Sequence, residues 1–296
     1  MLTNRTGRAK TVFVAMIAML VGWGPPVLGQ EARPIKISGS RYMFYNVTDF
    51  ATSFLKNHPT VPDILVTSDS SLIAFKKLLD GKIDAYMSFR KLDEDERLEA
   101  QERGINLTEH IVGYGAVAIV TNPMNTVTEL TVAQVRKLFS GEYLNWSQVG
   151  GPKMSVIPIT RDESISGTEL VFREIVLEGY PVAQHTIRQA DHDISLTVRK
   201  EPGAIADARF TEALRGQKKG LVKIVAIKEH EDAPAVLPTE ETVKNGTYLF
   251  SSPLYMYYDA KAIPTIAKQF MDFCAVNGLG TRISAIKEVK AKESDM

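Results

Sequence analysis

An apolar run that delivers an arginine, followed by a serine-glycine-threonine triplet, is the part of this chain best suited to chemistry: Ile159-Thr160-Arg161-Asp162-Glu163-Ser164-Ile165-Ser166-Gly167-Thr168-Glu169. Val156 to Ile159 reads as a strand, and Glu169 to Leu177 reads as a helix. Backbone N–H groups at a helix start attract anions, and Gly167 removes the side chain that would hold an anion at a distance. Ser166 and Thr168 add hydroxyl donors, and Arg161 adds a planar fork suited to a tetrahedral oxyanion. Together they would form one half of an oxyanion cleft. Ser166-x-x-Glu169 is equally a capping box, which closes a helix start with no ligand. Both readings stand on the local pattern.

Other constellations carry less. His185, Asp191, His192 and Asp193 form the one dense His/Asp cluster, but its spacing fits no i, i+4 metal pair, and it reads as a solvated loop. Ser166 lies outside a G-x-S-x-G elbow, and no histidine is placed beside it, so catalysis is not expected. Neither common glycine-rich nucleotide loop is present, and no cofactor is expected. The 35 basic and 35 acidic residues balance, leaving no basic field for nucleic acid. Asp93 to Glu96 reads as a solvated helix face. Cys274 is the single cysteine, which excludes an intramolecular disulfide, and its apolar helical setting (Ile266 to Val276) makes it a core residue. Trp146, Tyr255, Tyr257 and Tyr258 read as packing.

The elements that must position the triplet alternate along the chain. Ile35 to Ser38, Asp63 to Thr67 and Ile83 to Ser88 read as strands, with helices at Asn46 to Lys56 and Leu72 to Leu79 between them. The long apolar run Ile111 to Thr121 follows, then the helix Val132 to Phe139 and a loop from Ser140 to Pro152. Ala204 to Ala206, Leu221 to Ile227 and Leu254 to Tyr258 read as further strands, and a closing helix starts at Ile263. Such alternation implies an α/β architecture around a parallel sheet. A chain that crosses out near residue 113 and returns near residue 246 would leave a cleft between two lobes, the usual place for a ligand.

Before these elements, Arg5, Arg8 and Lys10 precede an apolar run from Thr11 to Trp23, with Pro25, Pro26 and then Val27-Leu28-Gly29. This is the layout of a signal peptide cleaved after Gly29. The run is shorter than the roughly 20 residues of a spanning helix. An exported protein with no stable membrane insertion is expected.

Several segments carry a resemblance. Phe139-Ser140-Gly141-Glu142-Tyr143-Leu144-Asn145-Trp146-Ser147-Gln148-Val149-Gly150-Gly151, followed downstream by Arg161 and Ser166-Gly167-Thr168, resembles the second-lobe loop and anion motif of the PstS-type phosphate-binding proteins, the solute-binding components of ATP-driven (ABC) importers. Ile37-Ser38-Gly39-Ser40, Gly81 to Arg90 and Tyr248 to Tyr258 are similar to its other segments, so the resemblance spans nearly the whole mature chain. It implies a two-lobed periplasmic-binding-protein fold of type II, with the cleft between lobe 1 (30–112 plus 247–296) and lobe 2 (113–246). It further implies a monomeric periplasmic protein that holds phosphate or another oxyanion and docks on a permease. Arg161, Ser166, Gly167 and Thr168 would contact the anion from the second lobe, and Ser71 or Ser70, with Ser40, from the first. A sensor of the same fold with a drifted pocket is the alternative, and an exported hydrolase a more distant one.

The sequence departs from the family pattern in four places. The Arg-x4-Ser-Gly-Thr spacing is one residue longer than the common form. Phe89 stands where phosphate specialists place an aspartate after the serine that ends the third strand. That carboxylate accepts the proton of monohydrogen phosphate and repels an anion lacking one; Asp69, Asp84 or Asp207 would have to replace it. The first loop reads Ser40-Arg41-Tyr42-Met43-Phe44, bulkier than usual, with Arg41 either donating to a larger anion or solvated. The stretch Gly203-Ala204-Ile205-Ala206-Asp207 replaces Gly-Ile-Gly-Tyr, which implies an altered pocket wall.

Overall fold

Apolar stripes at helical spacing alternate with short runs of β-formers, and the chain folds accordingly. The computed structural model describes residues 33–161, 167–189 and 194–278. The expected signal segment, Ser166, and the Asp191-His192-Asp193 part of the His/Asp cluster lie outside these residues.

The first part is strictly alternating: β1 (Ile35–Gly39), α1 (Arg41–Asn57), β2 (Ile64–Ser68), α2 (Ser71–Leu79), β3 (Ala85–Ser88) and α3 (Glu94–Glu102). Strand β1 pairs in parallel with β2 on one side and β3 on the other. Helix α1 buries Tyr42, Met43, Val47, Ala51 and Phe54, a stripe at 3.6 periodicity laid on the sheet. It begins at Arg41, five residues before the expected start. Tyr42 and Met43 are buried and so belong to the packed first turn rather than to a loop. Asp93 and Glu96 form a true capping box on α3, and Glu96 also takes both Nη atoms of Arg90 at 2.8 and 2.7 Å. Asp93, Glu94 and Asp95 are exposed, as a solvated helix face requires, and the cap and the Arg90 pair add to it.

The long β4 (Leu107–Thr121) leads to β5 (Glu129–Thr131), α4 (Val132–Ser140), a 3₁₀ turn (Trp146–Val149) and β6 (Ile157–Arg161). Then come α5 (Gly167–Val171), which runs into a π-helical turn (Phe172–Leu177), β7 (Ile187–Gln189), α6 (Ile194–Lys200), β8 (Ala204–Arg209) and α7 (Phe210–Lys218). The chain closes with β9 (Lys223–Ile224), β10 (Ala226–Lys228), α8 (Glu240–Lys244), β11 (Ser251–Asp259) and α9 (Thr265–Val276). The expected strand from Leu221 to Ile227 is two strands in two sheets: β9 pairs with β4, and β10 pairs with β5.

The main sheet runs β2-β1-β3-β11-β4-β8-β6-β7, with β9 also on β4. Strand β4 joins two wings. Up to Ala116 it pairs antiparallel with β11, and from Val117 onward it pairs antiparallel with β8. Strands β3 and β8 are buried along their whole length, as expected for a sheet covered on both faces. Trp146 is fully buried and donates its indole N–H to the Gly203 carbonyl at 2.9 Å. Cys274 is fully buried in α9, and burial pushes its thiol well above the ordinary range.

Two glycines are sterically required. Gly39, at the end of β1, has φ +140°, and a Cβ there would lie 2.1 Å from the Met87 carbonyl oxygen. A Cβ on Gly115 would lie 2.8 Å from the Phe89 ring and 2.9 Å from the Tyr42 ring. Gly39→Ala is expected to cost about 3 kcal/mol, because both strain and a backbone clash oppose it. Thermal unfolding should show a midpoint about 5–10 °C lower; an unchanged midpoint would refute the close approach of β1 and β3.

Candidate functional site

Strands β6 and β8 are neighbouring and parallel, so their carboxyl ends lie side by side, the position that favours ligands in open α/β sheets. Arg161 ends β6, and Asp207 and Arg209 end β8. Strand β8 runs directly into α7, which places Glu212 one turn further on. Arg161 is fully buried. Its Nη1 donates to the Asp207 carbonyl oxygen at 2.7 Å and to Asp207 Oδ2 at 2.9 Å, and its Nη2 donates to Glu212 Oε2 at 2.7 Å. Burying a guanidinium is costly unless carboxylates surround it, and here two do.

Arg209 extends the network. Its Nε donates to Thr168 Oγ1 at 2.9 Å, and its Nη1 donates to Glu212 Oε1 at 3.4 Å. Glu212 therefore bridges two arginines. The Arg209 guanidinium also lies over the rings of Tyr42 and Tyr45, 5.4 and 5.9 Å from their centroids. Both tyrosines belong to α1, on the other wing, and α1 packs against α5. The Tyr42 hydroxyl donates to the Ala116 carbonyl at 3.1 Å and accepts from the Ala116 N–H at 3.3 Å, at the point where β4 changes wings. Burial pushes the Tyr42 phenol up to about 12, against the opposing pull of Arg209. Phe89 packs edge-on against Tyr42, with ring centroids 4.6 Å apart.

The expected site residues fall into two groups. Arg161 and Thr168 join one network through Glu212 and Arg209, and Gly167 opens α5. Ser166 lies outside the described residues. Ser40, Ser70 and Ser71 lie just past the carboxyl ends of β1 and β2, on the other wing. Ser40 is half-buried, makes no side-chain cap, and donates its backbone N–H to the Met87 carbonyl at 2.8 Å. Ser70 caps α2 by accepting from the Ile73 N–H at 3.4 Å, and both Ser70 and Ser71 are exposed. Arg41 is half-buried, with Nε 3.4 Å from Ser68 Oγ.

The three aspartates weighed as replacements for the missing carboxylate are all engaged. Asp84 accepts from the Lys36 N–H at 2.8 Å, and Asp207 holds Arg161. Asp69 accepts from Ser38 and Lys77, and Lys77 holds its carboxyl below the usual range. Of these, Asp69 stands beside Ser70. Arg209, Glu212 and Tyr42 escaped the sequence reading. A signal existed for Arg209: Ile205, Asp207 and Arg209 alternate with Ala204, Ala206 and Ala208, so the period-two pattern runs three residues past the expected strand end.

Glu169 is buried beside this network. Arg173 Nε donates to its Oε1 at 2.9 Å. Burial, together with the nearby Asp207 charge, outweighs that contact and pushes the Glu169 carboxyl up to about 7. Among the described residues, no group of three His, Cys, Asp or Glu side chains is arranged to hold a metal ion. No helix among them is long and apolar enough to cross a membrane.

The sequence matches the PBP superfamily domain over residues 24–277. Phosphate-binding protein PstS of Bacillus subtilis is 25% identical over 242 residues, covering 81% of this chain and 74% of its own length. Phosphate-binding protein PstS of Staphylococcus saprophyticus is 26% identical over 258 residues, covering 85% of this chain and 78% of its own length. The crystal structure of an ABC-type phosphate transport receptor from Vibrio cholerae is similar at TM-score 0.68 and 25% identity, over 86% of this chain and 96% of that one. These relatives are named for binding and transport rather than catalysis.

Two predictions follow from the burial of these charges. Arg161→Met should cost about 3–5 kcal/mol, because Asp207 and Glu212 lose their shared cation in a buried place; denaturant unfolding at neutral pH would measure it, and a neutral result would contradict the burial of the cluster. Glu169 carries a folded-state value above the unfolded 4.5. Between about 4.5 and 7 the folded chain therefore holds a proton that the unfolded chain has lost, so this group's contribution is greatest at low pH and declines through that window. The midpoint of Glu169→Gln should gain on wild type by several degrees between pH 4.5 and 7.5. Parallel curves would remove Glu169 as the group that holds the proton.

Proposed function

Because the chain belongs to the PBP superfamily, we propose that it is an exported, periplasmic solute-binding protein, monomeric, that captures phosphate or a closely similar oxyanion and delivers it to the permease of an ABC importer. The two lobes would be 30–112 with 247–296, and 113–246, with the cleft along the carboxyl ends of β1, β2, β6 and β8. The observation that carries this reading is the Thr168–Arg209 pair. It joins a hydroxyl donor and a cation at the carboxyl ends of β6 and β8 and abuts the first turn of α1. Relatives named for phosphate binding support the choice of anion.

In this reading Thr168, Gly167 and Ser166 donate hydrogen bonds to the anion, Arg209 supplies the nearest positive charge, and Arg161 orients the network from behind through Glu212. Ser40, Ser70 and Ser71 face them from the first lobe. Closure follows from differential affinity, since only the closed state lets both lobes touch the anion. The tight packing of Phe89 on Tyr42, where a carboxylate would serve phosphate selectivity, favours a second reading, a periplasmic sensor with an altered pocket. Met43, an apolar residue of the first turn of α1, is buried in the core.

Titration calorimetry with phosphate, with sulfate as competitor, separates the two. Saturable phosphate binding is expected, and Thr168→Val should weaken it about tenfold or more, the loss of one hydrogen bond to a charged group. Unchanged affinity in that variant removes Thr168 from the site. Silence towards both anions favours the sensor.

A further inference from the structure

An open groove of about 560 Å³ adjoins the arginine network. Arg209 and Glu212 belong to its lining. Arg215 and Lys219, four residues apart along and just past α7, line the same groove. Tyr45, Leu196 and Leu221 supply its apolar surface, and Tyr45 and Leu196 are half exposed there. The space is far larger than an inorganic oxyanion requires. Such an anion fills the volume of roughly three water molecules, at about 30 Å³ each, whereas grooves of this size hold organic ligands of many atoms.

The charges are also uneven. Glu212, the one acidic residue of the lining among the described residues, is engaged by Arg161 and Arg209. Arg215 and Lys219 form no ion pair among the described residues and so leave a net positive field. Arg209 precedes the first residue of α7 and Lys219 follows its last, which sets these cations apart along the helix. The Tyr45 ring, with the Arg209 guanidinium 5.9 Å from its centroid, adds a flat, half-exposed aromatic face to the lining.

We propose that this groove extends the oxyanion site to an organic phosphate whose apolar, flat body lies along Tyr45, Leu196 and Leu221 and whose second acidic group meets Arg215 and Lys219. The phosphate end rests on the oxyanion reading, with Arg209 and Thr168 as its partners. The groove end does not depend on it, because its recognition elements are an apolar wall and two other cations.

Calorimetric titration of the full chain with 4-carboxyphenyl phosphate, phenyl phosphate and inorganic phosphate tests both ends. The carboxylated ester should bind about fivefold more tightly than phenyl phosphate, in line with two exposed ion pairs, and both esters more tightly than inorganic phosphate. The double variant Arg215→Gln, Lys219→Gln should erase the difference between the two esters and leave inorganic phosphate unchanged. Leu196→Trp, which fills the groove from an exposed position, should weaken both esters alone; thermal midpoints of each variant check that the fold persists. If inorganic phosphate binds and the esters do not gain, the organic ligand is overturned and the phosphate reading stands. If the esters bind with the expected sensitivity and inorganic phosphate does not, the groove is supported and the inorganic ligand falls. Silence towards all three overturns both.

Discussion

A guanidinium cannot be buried alone, and the arrangement of this molecule around β6 and β8 follows from that constraint. Arg161 is fully buried, so Asp207 must stand beside it on the next strand and Glu212 must reach it from the helix that follows. Glu212 has a second carboxylate oxygen, which meets Arg209. Arg209 in turn meets Thr168 on α5 and the tyrosine faces of α1. Two cations and two carboxylates thus fix the relative positions of two strands and three helices.

The same cluster lies against the junction of the two wings. Arg209 is paired opposite Val117, the first β4 residue to leave β11 for β8. Tyr42 holds the peptide groups around Ala116, and Tyr248 donates to the Val117 carbonyl at 3.0 Å. Gly115 lets the Tyr42 and Phe89 rings close over this strand. Anything that shifts Arg209 would therefore be felt at the strand that both wings share. Any ligand contacting Thr168 and Arg209 would act on that strand through the packed Tyr42 ring and the Arg209–Val117 pairing rather than through a loop.

Electrostatics separate the core of the cluster from its margin. Asp207 and Glu212 offset Arg161 and Arg209 inside, while Glu169, crowded by burial and by Asp207, is pushed up to about 7. Among the described residues, Arg215 and Lys219 along the groove form no ion pair, so positive charge lies outside the cluster. The Phe89 ring packs edge-on against Tyr42 beside this cluster and adds no charge to it.

Local patterns determined much of this protein without its structure. Strand–helix alternation specified an α/β fold and the parallel pairing of β1 with β2 and β3, because period two and period 3.6 bury different faces. The expected all-parallel sheet is mixed, since β11 and β4 pair antiparallel with their neighbours. The apolar helical setting of Cys274 marked core, and Trp146 and Tyr257 read as packing. The Arg161 to Thr168 segment marked the end of a strand and the start of a helix where donors gather. Other features depended on contacts between distant residues. Whether Arg161 faces a ligand or a carboxylate is decided by Asp207 and Glu212, 46 and 51 residues away, and no spacing rule encodes that pairing. Arg209 lay within a readable alternation, yet its role comes from Thr168 and from tyrosines more than 160 residues earlier. The first turn of α1 read as a loop because its bulky residues gain their reason only when packed against β4 and Phe89. The sequence by itself thus determined the strand–helix order of the first wing and the donors at the junction of β6 and α5. It did not determine the small elements β5, β7, α6 and α8 or the split of 221–227 between two sheets. The tertiary structure decided which charges meet, because neutralising a buried cation depends on distance in space and not on distance along the chain.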